Sequence, residues 1–228
     1  MGNVKGVLFD FNGTLFFDSE MHIKAFEECF RRYGLPCREK EYIVKNIFGR
    51  TNAAIFREHY RPEATDEQAA EFERIKETLY MDMCRASSDT LALVRGVPEM
   101  LDHLKQNNIP FCIATGSPLE NVEFYFEYLG LGKWFTLDNI VYCDGSFAGK
   151  PAPDIYRLAA ARLGLDASDC VVFEDGTSGI LAARAAGAAS VIAVWEDGLP
   201  CPLTEQAQAD AVYHSFENWK EMLTGLGI

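Results

Sequence analysis

Short apolar runs rich in β-branched and aromatic residues recur along the chain: GVLFDF at 6–11, IPFCIAT at 109–115, NIVYCD at 139–144, CVVFED at 170–175, SVIAVW at 190–195 and DAVYHSF at 210–216. Stretches of helical period separate them. Continuous apolar runs that alternate with helices predict a parallel sheet buried on both faces. The expected architecture is α/β, a Rossmann-like core with crossover helices.

One segment departs from this alternation. Between Asp18 and Ser88 no strand pattern appears. SEMHIKAFEECFRRYG places Ile23, Phe26, Phe30 and Tyr33 on one helical face. TDEQAAEFERIKETLYMDMC opens with Thr65 and Gln68 at capping-box spacing and aligns Ala69, Phe72, Ile75 and Leu79 in one stripe. The division predicted is an α/β core of residues 1–17 and 89–228, with a small all-helical cap at 18–88 inserted after the first strand. Beyond the cap, helices are expected in GVPEMLDHLKQNN, SPLENVEFYFEYLG, APDIYRLAAARLGL and SGILAARAAGA. In the second of these Ser117 reads as N-cap, with Pro118 at the first helical position.

Composition narrows the function classes. Hydrophobic residues make up 48% of the 228, enough for a sizeable core. A net charge of −13 disfavours nucleic acid and anionic membrane as partners. It leaves room for a small anionic substrate wherever a metal ion reverses the local field. The seven cysteines form no C-x-x-C pair, and several sit in apolar runs. They read as reduced, buried thiols of a cytoplasmic protein, a monomer or weak dimer. No signal-peptide layout and no membrane-length apolar run is present.

In open parallel sheets ligands bind outside the carboxyl ends of the strands. Three such ends look alike. VLFDFNG finishes in Asp10, FCIATGS in Thr115, Gly116 and Ser117, and VVFEDGTSG in Glu174, Asp175 and Gly176. Three converging carboxylates repel unless a cation lies between them, and oxygen-only ligands favour Mg²⁺. Thr115 and the N–H groups that open a helix at Ser117 suit an anion. Lys150, in GKPAPDIY, falls between a strand and a helix and could meet the same anion. Together these are the parts of a phosphoryl-transfer site.

The motifs DFNGT, ATGS, GKPAPDIY and FEDGTSGI, in that order, resemble the four motifs of the haloacid dehalogenase-like hydrolases. The helical insertion resembles the small cap of the subgroup of β-phosphoglucomutase and phosphoglycolate phosphatase. The resemblance implies a Mg²⁺-dependent phosphatase or phosphomutase acting on a small phosphorylated metabolite, such as a sugar phosphate. Asp10 would be the nucleophile and form an aspartyl-phosphate. Thr115 and Lys150 would hold the phosphoryl group, with Gly116 and Ser117 beside it. Asp10, the backbone carbonyl of Asn12, Asp175 and, through water, Glu174 would hold Mg²⁺. Gly13 and Thr14 would shape the loop. His22 falls at the position of a cap-hinge histidine, and Arg50 near that of a substrate-reading arginine. A phosphonate-cleaving activity would need a cap lysine, for which Lys24 and Lys45 are the candidates by location.

The chain departs from the family at position 12, where the pattern has an aspartate that gives and takes the proton. The Asn12 amide does not ionise in this range. Its carbonyl is intact, so metal and phosphate binding should survive while turnover falls. General acid–base catalysis typically supplies ~10²–10⁴-fold. Three readings stay open: a weak phosphatase with a substitute group such as His22, a phospho-metabolite-binding protein, or an Asp→Asn change that traps an intermediate.

Overall fold

The computed structural model describes residues 4–48, 50–87, 91–201 and 203–228. Each of the six apolar runs supplies one strand: β1 (Gly6–Phe9), β2 (Phe111–Ala114), β3 (Ile140–Val141), β4 (Cys170–Glu174), β5 (Ser190–Val194) and β6 (Ala211–Tyr213). They form one sheet in the order β3-β2-β1-β4-β5-β6, and every pairing is parallel. The chain is therefore α/β with a Rossmann-type sheet.

The continuous apolar strands are explained by helices on both faces. Along β1, Val7 and Phe9 join the layer of Met100, Leu104 and Met222, carried by α5 (Val97–Gln106) and α9 (Trp219–Leu226). Leu8, pointing the other way, joins Tyr156, Ala160 and Ile180 on α7 (Asp154–Arg162) and α8 (Thr177–Ala186). A strand buried on both sides has no polar face to alternate with, hence the unbroken VLF.

Between β1 and α5 the described chain is helical: α1 (Ser19–Arg32), α2 (Lys40–Asn46), α3 (Asn52–His59) and α4 (Asp66–Ala86). The two long helices match the stripes expected of them. Ile23, Phe26 and Phe30 are buried against α4, and Phe72 stacks on Phe56 of α3 at 4.6 Å. The capping box closes, with Gln68 N–H donating to Thr65 Oγ1 at 3.2 Å and Thr65 N–H to Gln68 Oε1 at 3.0 Å. The short helices α2 and α3 fill a stretch whose period was too brief to predict them. At the base of the segment, Val94 N–H donates to the Leu15 carbonyl at 2.9 Å, so its two ends meet. The expected far boundary at 88/89 lies outside the described residues.

The remaining helix, α6 (Leu119–Leu129), begins later than predicted. Pro118 is its N-cap, and the Ser117 side chain is used elsewhere. All seven cysteines are free; Cys37 and Cys201 are exposed rather than buried. No helix among the described residues is long and apolar enough to cross a membrane.

Candidate active site

The strand order reverses at β1, so the crevice of this sheet opens at the carboxyl ends of β2, β1 and β4. The three motifs picked out as strand ends are thus side by side. Asp10 follows β1, and its N–H is fixed by the Phe173 carbonyl of β4 at 2.9 Å. Glu174 closes β4, Asp175 follows it, and Thr115 follows β2. Asp10, Glu174 and Asp175 each offer an oxygen within 4.8 Å of the other two.

Lys150 joins them from the loop before α7. Its ammonium donates to Asp10 Oδ1 at 2.5 Å and to Glu174 Oε1 at 2.6 Å. Glu174 is fully engaged: Tyr156 O–H also donates to Oε1 at 2.7 Å, and the N–H groups of Asp175 and Gly176 donate to Oε2 at 2.9 Å each. One lysine does not neutralise three carboxylates, of which Asp10 and Glu174 are buried and Asp175 half-buried. Burial pushes Asp10 up to about 7 against the pull of Lys150, with Glu174 adding to the rise. Asp175 is held well above the carboxylate range by burial, then by Glu174 and Asp10. Burial opposes the charge on Lys150, but Asp10 and Glu174 outweigh it and hold its ammonium above the ordinary range. A hard divalent cation relieves this excess of negative charge, so the oxygen donor set fits Mg²⁺.

Two glycines make room for the carboxylates. Gly13, at φ +75°, lies against Asp175: a Cβ there would be 2.0 Å from Asp175 Oδ2. Gly179, in the first turn of α8, lies against Glu174: a Cβ there would be 1.6 Å from Oε1. The Gly in DFNGT and the Ser-Gly in FEDGTSGI are therefore there for the space they leave.

The residues expected to hold the anion follow β2. Ser117 N–H donates to Thr115 Oγ1 at 3.1 Å, and Gly116 has nothing within 4 Å of where a side chain would begin. Ser117 Oγ, released from capping, donates to Asn12 Oδ1 at 2.8 Å. The other end of that amide donates to Asp18 Oδ2 at 2.5 Å and to Tyr125 O–H at 2.8 Å. The acceptor-only carboxylate of Asp18 fixes which end of the amide carries nitrogen. Asp18 is 2% exposed and also accepts from Tyr80 O–H at 2.5 Å. Burial alone would raise its carboxyl, but His22, Tyr80 and Asn12 together hold it below the ordinary value.

His22 does reach this cavity wall. Its Nε2 is 3.3 Å from Asp18 Oδ2, its Nδ1 is 2.7 Å from Lys76 Nζ, and its ring stacks on Tyr80 at 3.9 Å. Both ring nitrogens are occupied. Arg50 borders the cavity but is ion-paired with Glu58, and its other nitrogen lies 3.5 Å from His59. Lys24 and Lys45 are exposed and pair with Glu20 and Glu41.

Sequence reasoning missed a polar face of α4. Glu73, Lys76, Glu77 and Tyr80 follow one another at helical spacing beside the apolar stripe. Lys76 is 3% exposed and pairs with Glu77 at 2.8 Å. Glu77 also accepts from Asn52 on α3 and from Asn121 on α6, each at 2.8 Å. Burial alone would raise Glu77, but Lys76, His22 and Asn121 bring it down to about 2. The one signal was the spacing itself, which also fits a solvated helix face.

Comparison with known proteins agrees with this geometry. The model of the haloacid dehalogenase-like hydrolase family matches residues 4–187. A fructose-1-phosphate phosphatase of Escherichia coli is 33% identical over 182 residues, covering 80% of this chain and 92% of that protein. The crystal structure of a family IA, variant 3 hydrolase from Entamoeba histolytica superposes with a TM-score of 0.85 at 36% identity, covering 99% and 100% of the two chains. CbbY of Rhodobacter sphaeroides, a mutant in complex with xylulose-(1,5)-bisphosphate, superposes with a TM-score of 0.76 at 28% identity, covering 94% and 95%. The chain belongs to the haloacid dehalogenase-like hydrolases and is an enzyme of their phosphatase class.

Proposed function

We propose that this enzyme transfers a phosphoryl group from a small phosphorylated metabolite to Asp10 and then to water. What carries the reading is the Asp10 carboxylate, buried between Lys150 and the Glu174–Asp175 pair at the mouth of the sheet. Lys150 engages Oδ1, which leaves Oδ2 as the attacking atom. As the Oδ2–phosphorus bond forms, the bond to the leaving oxygen breaks. Thr115 Oγ1, Ser117 N–H and the Lys150 ammonium would hold the equatorial oxygens. Mg²⁺, held by Asp10, Asp175, the Asn12 backbone carbonyl and, through water, Glu174, would supply charge neutralisation at the phosphoryl oxygens.

Position 12 sets the pace. The leaving alkoxide needs a proton, and the attacking water must lose one. Asn12 can do neither, and its amide is engaged at both ends. His22 is held by Asp18 and Lys76 and is a poor substitute. Phosphorylation of Asp10 by alkyl phosphates is then slow, and by aryl and acyl phosphates faster because their leaving groups need no proton, while breakdown of the phosphoenzyme is slow for all of them. This same observation favours the second reading, a phospho-metabolite-binding protein with little turnover.

The helical segment 18–88 is read as a cap over the site. Asp18, Tyr80 and Glu77 from it meet Asn12, Tyr125 and Asn121 from the rest. Its movement would gate entry and exclude water.

The test is to add an aryl phosphate with Mg²⁺ and look for phosphate on Asp10 by mass spectrometry. A phosphorylated Asp10 that forms faster than it decays supports the reading. Phosphate on any other residue, or release without a phosphoenzyme, contradicts it.

A further inference from the structure

The cavity that holds Asp10 continues upward between the helical segment and the loop of Lys150, and the charges along it are unequal. Its basic side chains are Lys150, Lys76 and Arg50. Lys150 is taken by Asp10 and Glu174, Lys76 by Glu77, and Arg50 by Glu58. Among the described residues, no cation that borders the cavity lacks a carboxylate partner.

Glu73 is the opposite case. It lies one helical turn before Lys76 and Glu77 on the same face of α4 and borders the cavity. It makes no ion pair among the described residues. The Asn52 side chain, whose Nδ2 donates to Glu77 at 2.8 Å, is its polar neighbour. Burial, with Glu77 next, raises its carboxyl above the ordinary range, and Asn52 lowers it somewhat.

Resting on the phosphatase reading above, we infer that Glu73 is a specificity-determining residue. It makes the site select monophosphate esters with a neutral, hydroxyl-bearing leaving group and reject bisphosphates. A second phosphate in the upper cavity would meet an unpaired carboxylate and no free cation, a like-charge contact of the kind that discriminates by repulsion. Hydroxyl groups meet an acceptor at Glu73 and an amide at Asn52, both of which suit them. The inference also separates hydrolysis from phosphate migration. Migration through a phosphoenzyme passes through a bisphosphorylated species, which this cavity would disfavour.

The experiment compares fructose 1-phosphate with fructose 1,6-bisphosphate, both with Mg²⁺. Binding by calorimetry and phosphate release are measured on this chain, on Glu73→Gln and on Glu73→Lys. The expected preference for the monophosphate is about tenfold or more in Kd. Glu73→Gln should narrow it and Glu73→Lys should reverse it. Tighter monophosphate binding with no release from either ester, and no phosphate on Asp10 from an aryl phosphate, keeps this inference and removes the phosphatase reading. Equal or tighter bisphosphate binding, or a ratio that neither variant moves, overturns the inference and leaves the phosphatase reading standing. Binding of neither ester overturns both.

Discussion

The side-chain amide of Asn12 donates to the buried carboxylate of Asp18 at 2.5 Å. That contact needs a hydrogen on residue 12. A carboxyl at position 12 could make it only in its protonated form, the form a general acid needs. Asn12 therefore stands where a protonated acid would stand, and cannot release the proton.

Asp18 should matter for stability before it matters for rate. Asn12, Tyr80 and His22 all point at its Oδ2. Asp18→Ala leaves these buried groups without their acceptor, at a cost of about 3 kcal/mol. Urea unfolding, read as a shift in midpoint at unchanged slope, checks it. A loss below about 1 kcal/mol would mean that the network rearranges at little cost.

Gly179→Ala should damage the site from outside it. The new methyl carbon would fall on Glu174 Oε1, so Glu174 must leave Lys150 and Tyr156. We expect a loss of about 2–4 kcal/mol and a collapse of phosphate release. Gly225→Ala is the control. It sits exposed in α9 with nothing within 4 Å of the new atom, and should gain up to about 1 kcal/mol from helix propensity.

The metal-free protein should lose stability as pH rises from about 4 to about 7. Asp10 is raised from 3.8 to about 7 in the folded state, and Asp175 is raised in the same direction. Over that window the folded chain keeps protons that the unfolded chain has lost, so the slope of stability with pH is negative. Glu77, held at about 2, acts the other way: its contribution is present above its ordinary value of 4.5 and is lost as pH falls toward 2. Mg²⁺ should remove the penalty of the ionised trio. Its effect on Tm is therefore expected to be larger at pH 8 than at pH 5, and an equal effect at both would contradict the assignment of the metal to these carboxylates.

The fold was legible because its strands are unbroken apolar runs, which only a doubly covered parallel sheet explains. The carboxylates, Thr115 and Lys150 were legible because each closes a strand or follows a loop marked by glycine. The network behind them was not. Lys76–Glu77 reads in sequence as an ordinary solvated pair, and only Asn52 and Asn121, 24 or more residues away in either direction, make it a buried one. Ser117 was read as a helix cap because a serine before Pro118 is a local signal. Its actual partner, Asn12, is 105 residues away. Asp18 lacked any mark of its burial, since Tyr80, which donates to it, lies on another helix 62 residues away.

The most direct test puts this chain beside Asn12→Asp and measures Mg²⁺-dependent phosphate release from an alkyl ester such as fructose 1-phosphate and from an aryl phosphate. The account predicts that the variant gains on the order of 10² or more in phosphate release from either ester, because breakdown of the phosphoenzyme needs a base whatever the leaving group. First-turnover release of the leaving group should gain as much only on the alkyl ester, where the alkoxide needs the proton. Equal rates for chain and variant on the alkyl ester would contradict it and assign proton transfer to a group other than residue 12.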